Sequence, residues 1–478
     1  MTVDELVPLR QDLAAIVVAR VVDCAPHPDS DHLHVTKVDD GSGELLDVVC
    51  GAANVRAGKL YPFARTGTVL PGGLKLEKRK IRGALSNGML CSARELALGE
   101  DHEVILELNV DAPPGTPFLQ AMPVGDTQLV LDVLPNRPDL LSHLGVAREI
   151  AAAMGRPLEM PHIAGLGEGL LAAIRSGTDG KTGGIEVHQE DRALAHRYMG
   201  LVIRGVKVGP SPEWLVKRLA SVGARTINNV VDASNYILHE LGQPTHAFDL
   251  SRLSGKRVII RTARKGEKIV TLDGVERSLD ESMTVIADAQ RPHAVAGVMG
   301  GRDSEVTVGT VDLFLEVANF NSTRTRATRR TLGLSTDASY RFERGVDPEL
   351  QPKALDRLAH LIMLVASGKV DASPVNLYAP AVPAREIVVR MARVATLLGA
   401  RIEAEDADRL LRAIGFTVGV ESGGALRVTA PSWRPDVMAE VDVIEEIARL
   451  HGYDSFASEL RPFRPGSSPD DSSRPSCR

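Results

Sequence analysis

Cysteine is scarce: Cys24, Cys50, Cys91 and Cys477 are the only four in 478 residues, and none forms a C-x-x-C pair. That spacing excludes a disulfide scaffold and a zinc ribbon. Aromatic residues make up 4% of the chain, too few for a broad base-stacking platform. No apolar run is long enough to span a bilayer, so no membrane partner is expected. The opening Met1-Thr2-Val3-Asp4-Glu5-Leu6 puts acids where a signal peptide needs positive charge. No G-x-S-x-G motif is present to support a serine nucleophile. No repeat of solenoid or propeller period is visible. A cytoplasmic protein is the plain expectation.

What is there is ordinary globular material, 44% hydrophobic and 25% charged, with a net charge of −6. The length suggests about three domains. An acidic total argues against a uniform nucleic-acid coat and against DNA as a partner, but two basic clusters stand out. One is Lys75, Lys78, Arg79, Lys80 and Arg82. The other is Arg324, Arg326, Arg329, Arg330, Arg341 and Arg344. With so few aromatics, such clusters would meet phosphate and shape rather than stacked bases.

The pattern along the chain is α+β. Residues 14–128 read as short strands (15–22, 33–38, 46–50) punctuated by Gly51, Gly58, Gly67 and Pro71-Gly72-Gly73, the signature of a small barrel. Residues 129–184 predict one helix with an apolar face of Leu140, Leu144, Ala147, Ile150 and Met154, capped by Asp139, then a glycine-rich linker. Residues 185–372 mix strands with a helix through Val230, Ile237 and Leu241, ended by Gly242. Residues 385–456 predict strand, helix, two strands and a final helix from Val437. From 457 onward proline, serine and aspartate dominate, and a disordered tail is expected.

Three constellations carry chemistry. The first runs Asp29-Ser30-Asp31-His32-Leu33-His34, Gly51-Ala52-Ala53-Asn54, Pro71-Gly72-Gly73, Lys80-Ile81-Arg82-Gly83 and Ser86-Asn87-Gly88-Met89. Its lysines and arginines suit phosphate contact, or else a solvated charged face. His27, His32 and His34 invite a metal reading, yet no carboxylate or cysteine stands at ligand spacing. The second spans Asn228-Asn229-Val230-Val231-Asp232, Gly242-Gln243-Pro244-Thr245-His246, Gly297-Val298-Met299-Gly300-Gly301, Leu315-Glu316-Val317 and Ser335-Thr336-Asp337-Ala338-Ser339-Tyr340-Arg341. The third is Trp433-Arg434-Pro435-Asp436 followed by Asp442, Glu445 and Glu446. Those last three share one helical face at i, i+3 and i+4, opposite Val437, Val441, Ile444 and Ala448. Converging carboxylates suit Mg²⁺. Asp436 as a cap and Glu445–Arg449 as a surface pair is the simpler alternative.

In this order, the three strings resemble the beta subunits of bacterial phenylalanyl-tRNA synthetases from about Ala14 to Pro465. The first resembles the oligonucleotide-fold tRNA-binding domain, and the second the central editing domains that hydrolyse mischarged tyrosyl-tRNA. The resemblance implies an editing site of Arg225, His246, Gly300, Glu316, Thr336 and Ala338. Glu316 would accept the tyrosine hydroxyl, and Gly300 and Ala338 would leave room for its ring. His246, on a loop held by Pro244, would orient water or the ester; Thr336 would donate to the substrate, and Arg225 would meet the tRNA end. It also implies a magnesium site at Asp436, Asp442, Glu445 and Glu446 shared with an alpha subunit, ATP as a substrate of the assembled enzyme, tRNA(Phe) as ligand and a two-alpha, two-beta tetramer. Two departures are expected. The helical segment ahead of the barrel is missing or abbreviated, and the family's C-terminal domains do not follow, as though the chain were truncated or frameshifted. A non-catalytic tRNA-binding scaffold and a free-standing trans-editing hydrolase are the alternative functions.

Overall fold

The computed structural model describes residues 2–99, 101–122, 124–160, 179–379, 384–421 and 424–457. The tail from 458 and the heart of the glycine-rich stretch, 161–178, lie outside the described residues. The chain divides into two compact units, residues 1–132 with 221–223, and residues 133–220 with 224–478. No helix among the described residues is long and apolar enough to cross a membrane.

In the first unit, β1 (Thr2–Pro8) precedes the barrel strands β2 (Ile16–Pro26), β3 (His34–Asp39), β4 (Leu45–Cys50) and β5 (Leu60–Arg65). A hairpin of β6 (Arg79–Ile81) and β7 (Ala84–Ser86) leads into β8 (Gly88–Leu90), and β9 (Thr127–Asp132) returns to pair with β1. Thr2–Pro8, ahead of the barrel, forms a strand, where a helical segment missing or abbreviated was expected. The five-stranded sheet runs β4-β3-β2-β5-β8. Its two edges approach where Asn87 N donates to Asp47 O at 2.8 Å, which nearly closes the barrel. Val17, Ala19, Val21, Val38, Val48, Tyr61 and Phe63 fill the interior, as strand alternation requires.

The second unit opens with a hairpin, β10 (Asp179–Thr182) and β11 (Ile185–Gln189), turned by Gly183 and Gly184, both at positive φ. The end of the expected linker is thus ordered strand. Next come β12 (Ala195–Arg204), β13 (Thr245–Asp249), β14 (Arg257–Thr262), the ribbon β15 (Lys268–Val270) and β16 (Glu276–Ser278), β17 (Thr284–Ala287), β18 (Pro292–Val295), β19 (Met299–Gly300) and β20 (Leu313–Phe320). They build a six-stranded sheet, β10-β11-β14-β17-β18-β19, and a second sheet in which β20 lies between β13 and β12. Alternation along β20 sends Leu313, Leu315 and Val317 into a core shared with the helices Asn229–Leu241 and Gln351–Ala366. Phe314 and Ala318 point instead into the core between the two sheets. Glu316 lies on that second, apolar face.

A three-stranded sheet of residues 386–429 packs on the helices Met391–Leu398, Ala404–Ala413 and Glu440–His451. Met391 begins the first of these helices. The helix His143–Ala153 is capped by Ser142, whose hydroxyl accepts from Gly145 N at 3.1 Å, and not by Asp139. Its expected apolar face is also corrected: Ile150 and Met154 are exposed, whereas Glu149 is buried. The reason is ionic, because Arg137 and Arg449 both pair with the Glu149 carboxylate and draw it inward.

Candidate functional site

The helix Asn229–Leu241 starts at Asn228, whose side chain accepts from Val230 N and Val231 N, and stops at Gly242 with φ +79°. The fully buried Gln243 amide donates to the Ala318 carbonyl at 2.9 Å, fixing the register of β13 against β20. His246 is consequently a strand residue, not a loop residue, and sits directly opposite Glu316 across β13 and β20. Its ring meets Phe248 edge-on at 4.5 Å. Gly300 reaches the same place from β19: a Cβ built there would stand 2.6 Å from His246 Cε1 and 2.9 Å from Nε2. Glycine is required here by close approach, not by φ.

Thr336 joins through its neighbour. Its hydroxyl donates to the Val298 carbonyl at 2.8 Å, two residues before Gly300, and accepts from Ser339 N at 3.0 Å as the cap of helix Asp337–Phe342. The proton expected to serve a substrate is therefore already engaged. Ala338 packs partly buried against the inter-sheet core, and an open groove lined by Ser335, Thr336, Asp337 and Tyr340 lies beside the cap. Arg225 is not brought in; it is exposed on the loop before Asn228 and hydrogen-bonds none of the other five.

The electrostatics are those of desolvated groups. Glu316 is 7% exposed, and burial pushes its carboxyl up to about 7. Tyr198, a fully buried neighbour on β12, donates its hydroxyl to Glu316 Oε2 at 2.8 Å. Sequence reading missed Tyr198 because the contact joins residues far apart in the chain. Burial holds the His246 imidazole down at about 4, so it is neutral at physiological pH, and its buried Nε2 has no partner among the described residues. An unpaired ring nitrogen beside an acidic side chain of tunable charge can bind a water or a polar substrate atom.

The basic hairpin of the first unit turns at Arg82-Gly83, both at positive φ. Lys75, Lys78, Arg79, Lys80 and Arg82 are all exposed. His27 is a buried turn residue: its Nδ1 accepts from Asp29 N, and its Nε2 contacts Ile81 O. Half of the arginine cluster at 324–344 pairs with carboxylates, while Arg326 and Arg330 are exposed. Arg329 and Arg344 share Glu343, Arg341 pairs with Asp337, and Arg324 bonds the Glu281 carbonyl.

On the acidic helix and the turn before it, Asp436, Asp442 and Glu446 are engaged by groups of this chain. Arg434 grips Asp436 through two hydrogen bonds of 2.8 Å and reaches Glu446 Oε1 at 2.9 Å. Arg449 takes the other oxygen of Glu446 at 2.6 Å. Asp442 accepts from Met438 N and Ala439 N, closing the helix start. Glu446 is buried while Glu445 is exposed, so they do not share a face, and Val441 is exposed rather than packed. Among the described residues no group of three or more His, Cys, Asp or Glu could hold a metal ion. Within this chain alone, Asp436 and Glu446 are held by arginines and Asp442 by backbone amides, while Glu445 is exposed.

The grip on Glu446 has a twin. Arg137 binds Asp139 bidentately and Glu149 Oε1 at 2.7 Å, with the same twelve-residue spacing from arginine to glutamate. Arg137-Pro138-Asp139 … Glu149-Ile150-Ala151 … Gly155 matches Arg434-Pro435-Asp436 … Glu446-Ile447-Ala448 … Gly452 position for position. The repeat is visible in the sequence once its two copies are laid side by side.

Comparisons with known proteins cover nearly all of this architecture. Family models match for a putative tRNA binding domain at residues 16–117, a B3/4 domain at 194–367 and a tRNA synthetase B5 domain at 387–453. The phenylalanine–tRNA ligase beta subunit of Anaeromyxobacter dehalogenans is 46% identical over 449 residues, covering 94% of this chain and 55% of that protein. That of Moorella thermoacetica is 43% identical over 468 residues, covering 96% and 56%. A solved N-terminal fragment of the phenylalanyl-tRNA synthetase beta subunit from Pyrococcus horikoshii gives a TM-score of 0.36 at 17% identity, covering 69% of this chain and 87% of that one, a likeness too slight to bear on the fold. On the strength of the sequence matches, the chain belongs to the phenylalanine–tRNA ligase beta subunits and spans about 55% of their length.

Proposed function

We propose that this chain supplies tRNA binding and removal of misattached tyrosine to a phenylalanine–tRNA ligase. The supporting observation is the meeting of His246, Glu316 and Gly300, drawn from three strands, at one desolvated point. A phenylalanine pocket rejects an added hydroxyl weakly, so tyrosine enters by error. A second pocket that offers a buried acceptor reverses the preference, because phenylalanine leaves that acceptor unpaired.

In this reading the phenol of the tyrosyl ester donates to Glu316, and the absence of a side chain at Gly300 lets the His246 ring lie against β19 beside it. Neutral His246 holds the attacking water, or the ester carbonyl, through Nε2. Thr336 acts by fixing the Val298–Gly300 strand rather than by touching substrate. The exposed hairpin of Lys75, Lys78, Arg79, Lys80 and Arg82 follows tRNA phosphates. Charging with phenylalanine takes place with the alpha subunit, which uses ATP and Mg²⁺. The acidic helix would join a magnesium site only alongside groups from that subunit, with Glu445 the carboxylate left unengaged.

The test is deacylation of preformed tyrosyl-tRNA(Phe) and phenylalanyl-tRNA(Phe) by the chain and by Glu316→Ala. The variant should lose on the order of 1–3 kcal/mol of preference for tyrosine, the value of a buried hydrogen-bond partner. Unchanged preference would mean Glu316 does not read the hydroxyl.

A further inference from the structure

Glu316 is not a free acceptor waiting for a ligand, because one of its oxygens already holds a tyrosine hydroxyl from within the protein. Tyr198 pairs with Ala318 on β20, and Gly200 pairs with Glu316. Tyr198 is thus the diagonal neighbour of Glu316 on one face of the sheet, close enough for a long side chain to reach it. The residue directly opposite on β12 is a glycine. A Cβ there would stand 2.4 Å from Phe314 Cζ, and the hydroxyl that β12 brings to this carboxylate is that of Tyr198.

We propose that Tyr198 is a positioning residue for Glu316: its hydroxyl occupies Oε2, so that Oε1 alone is offered to the ring hydroxyl of a bound tyrosine. The proposal rests on the tyrosine-removal reading and names the device that orients its reader. Tyr198 is fully buried beside a carboxylate, which pushes its phenol well above the ordinary range and keeps it a donor. A carboxyl in a dry pocket can rotate, or take up a proton and become a donor itself. Either change would blur the distinction between tyrosine and phenylalanine. The Tyr198 bond opposes both, since it fixes the plane of the carboxyl and favours its ionised form. The titratable groups facing Glu316 are Tyr198 from β12 and His246 from β13, and among the described residues no cation pairs with Glu316. Burial raises the carboxyl, and with His246 neutral the Tyr198 phenol is the side chain that works against that rise.

The experiment measures deacylation of tyrosyl-tRNA(Phe) and phenylalanyl-tRNA(Phe) by the full chain between pH 6 and 8.5, with the uncatalysed rate subtracted. Wild type, Tyr198→Phe, Glu316→Gln and the double variant are compared. Tyr198→Phe should lower the tyrosine preference at neutral pH on the order of tenfold and move the midpoint of its pH dependence upward by about one unit. Preference should recover at the alkaline end, and the double variant should discriminate no worse than Glu316→Gln alone. Equal slowing on both substrates with an unmoved midpoint would reduce Tyr198 to a packing residue and overturn the proposal. Losses that add in the double variant would overturn it too, because Tyr198 would then act independently of Glu316. A wild-type chain that hydrolyses neither ester would instead sink the tyrosine-removal reading, and the proposal with it. Thermal unfolding of each variant separates loss of fold from loss of discrimination.

Discussion

Glu149 and Glu446 hold the same guanidinium: Arg449 donates to Oε2 of each at 2.6 Å. Each glutamate also binds the arginine twelve residues before it, in an Arg-Pro-Asp tripeptide. The two copies of the repeat are thus joined into one partly buried chain of three arginines and four carboxylates. This explains why the helices His143–Ala153 and Glu440–His451 turn a glutamate inward and leave apolar residues outside.

Glu446→Gln should therefore destabilise the second unit by about 3–5 kcal/mol, since it leaves Arg434 and Arg449 with a missing charge in a buried site. Glu445→Gln, on the exposed side, should stay within about 0.5 kcal/mol. Urea denaturation of both variants decides the matter. Equal effects would deny the buried network its structural role.

Acid should find the same weakness. Arg434 and Arg449 hold the Glu446 carboxyl at about 2, and Arg449 and Arg137 hold that of Glu149 below its ordinary value, both against opposing burial. A carboxyl lowered in the folded state adds stability above its unfolded pKa and loses it as pH falls through the folded one. Stability should decline from about pH 4.5 towards 2, and more shallowly in Glu446→Gln. Melting temperatures across that range test the difference in slope.

Gly300→Ala places a Cβ against the His246 ring, which is backed by Phe248. Hydrolysis of tyrosyl-tRNA should fall at least tenfold, while tRNA binding through the other unit stays intact. Filter binding alongside deacylation separates the two. Normal hydrolysis would place the pocket elsewhere.

Replacing Lys78, Arg79 and Lys80 together by Ala should weaken binding to all tRNAs alike. The slope of log affinity against log salt should flatten by at most about three ion contacts. An unchanged slope would return the hairpin to a solvated charged surface.

Local pattern was enough for much of this protein. Strands Thr417–Val420 and Leu426–Thr429, the barrel alternation and the Gly242 stop are legible because they depend on periodicity and on one residue's conformational freedom. Gly300, Glu316 and His246 were nameable from the family likeness, but their roles in space were not. That His246 lies in a strand opposite Glu316, that Thr336 is bonded to Val298 and that Arg225 stands outside are consequences of sheet register and helix capping. The orientation of the acidic helix was illegible for a related reason. Helical spacing places Asp442, Glu445 and Glu446 near one another, but it cannot say which side faces the core. Distant groups settled that: a buried carboxylate is tolerable only where cations arrive to pair with it, and while helical spacing alone sets Arg449 beside Glu446, only the tertiary structure brings Arg434 to Glu446 and Glu149 to Arg449.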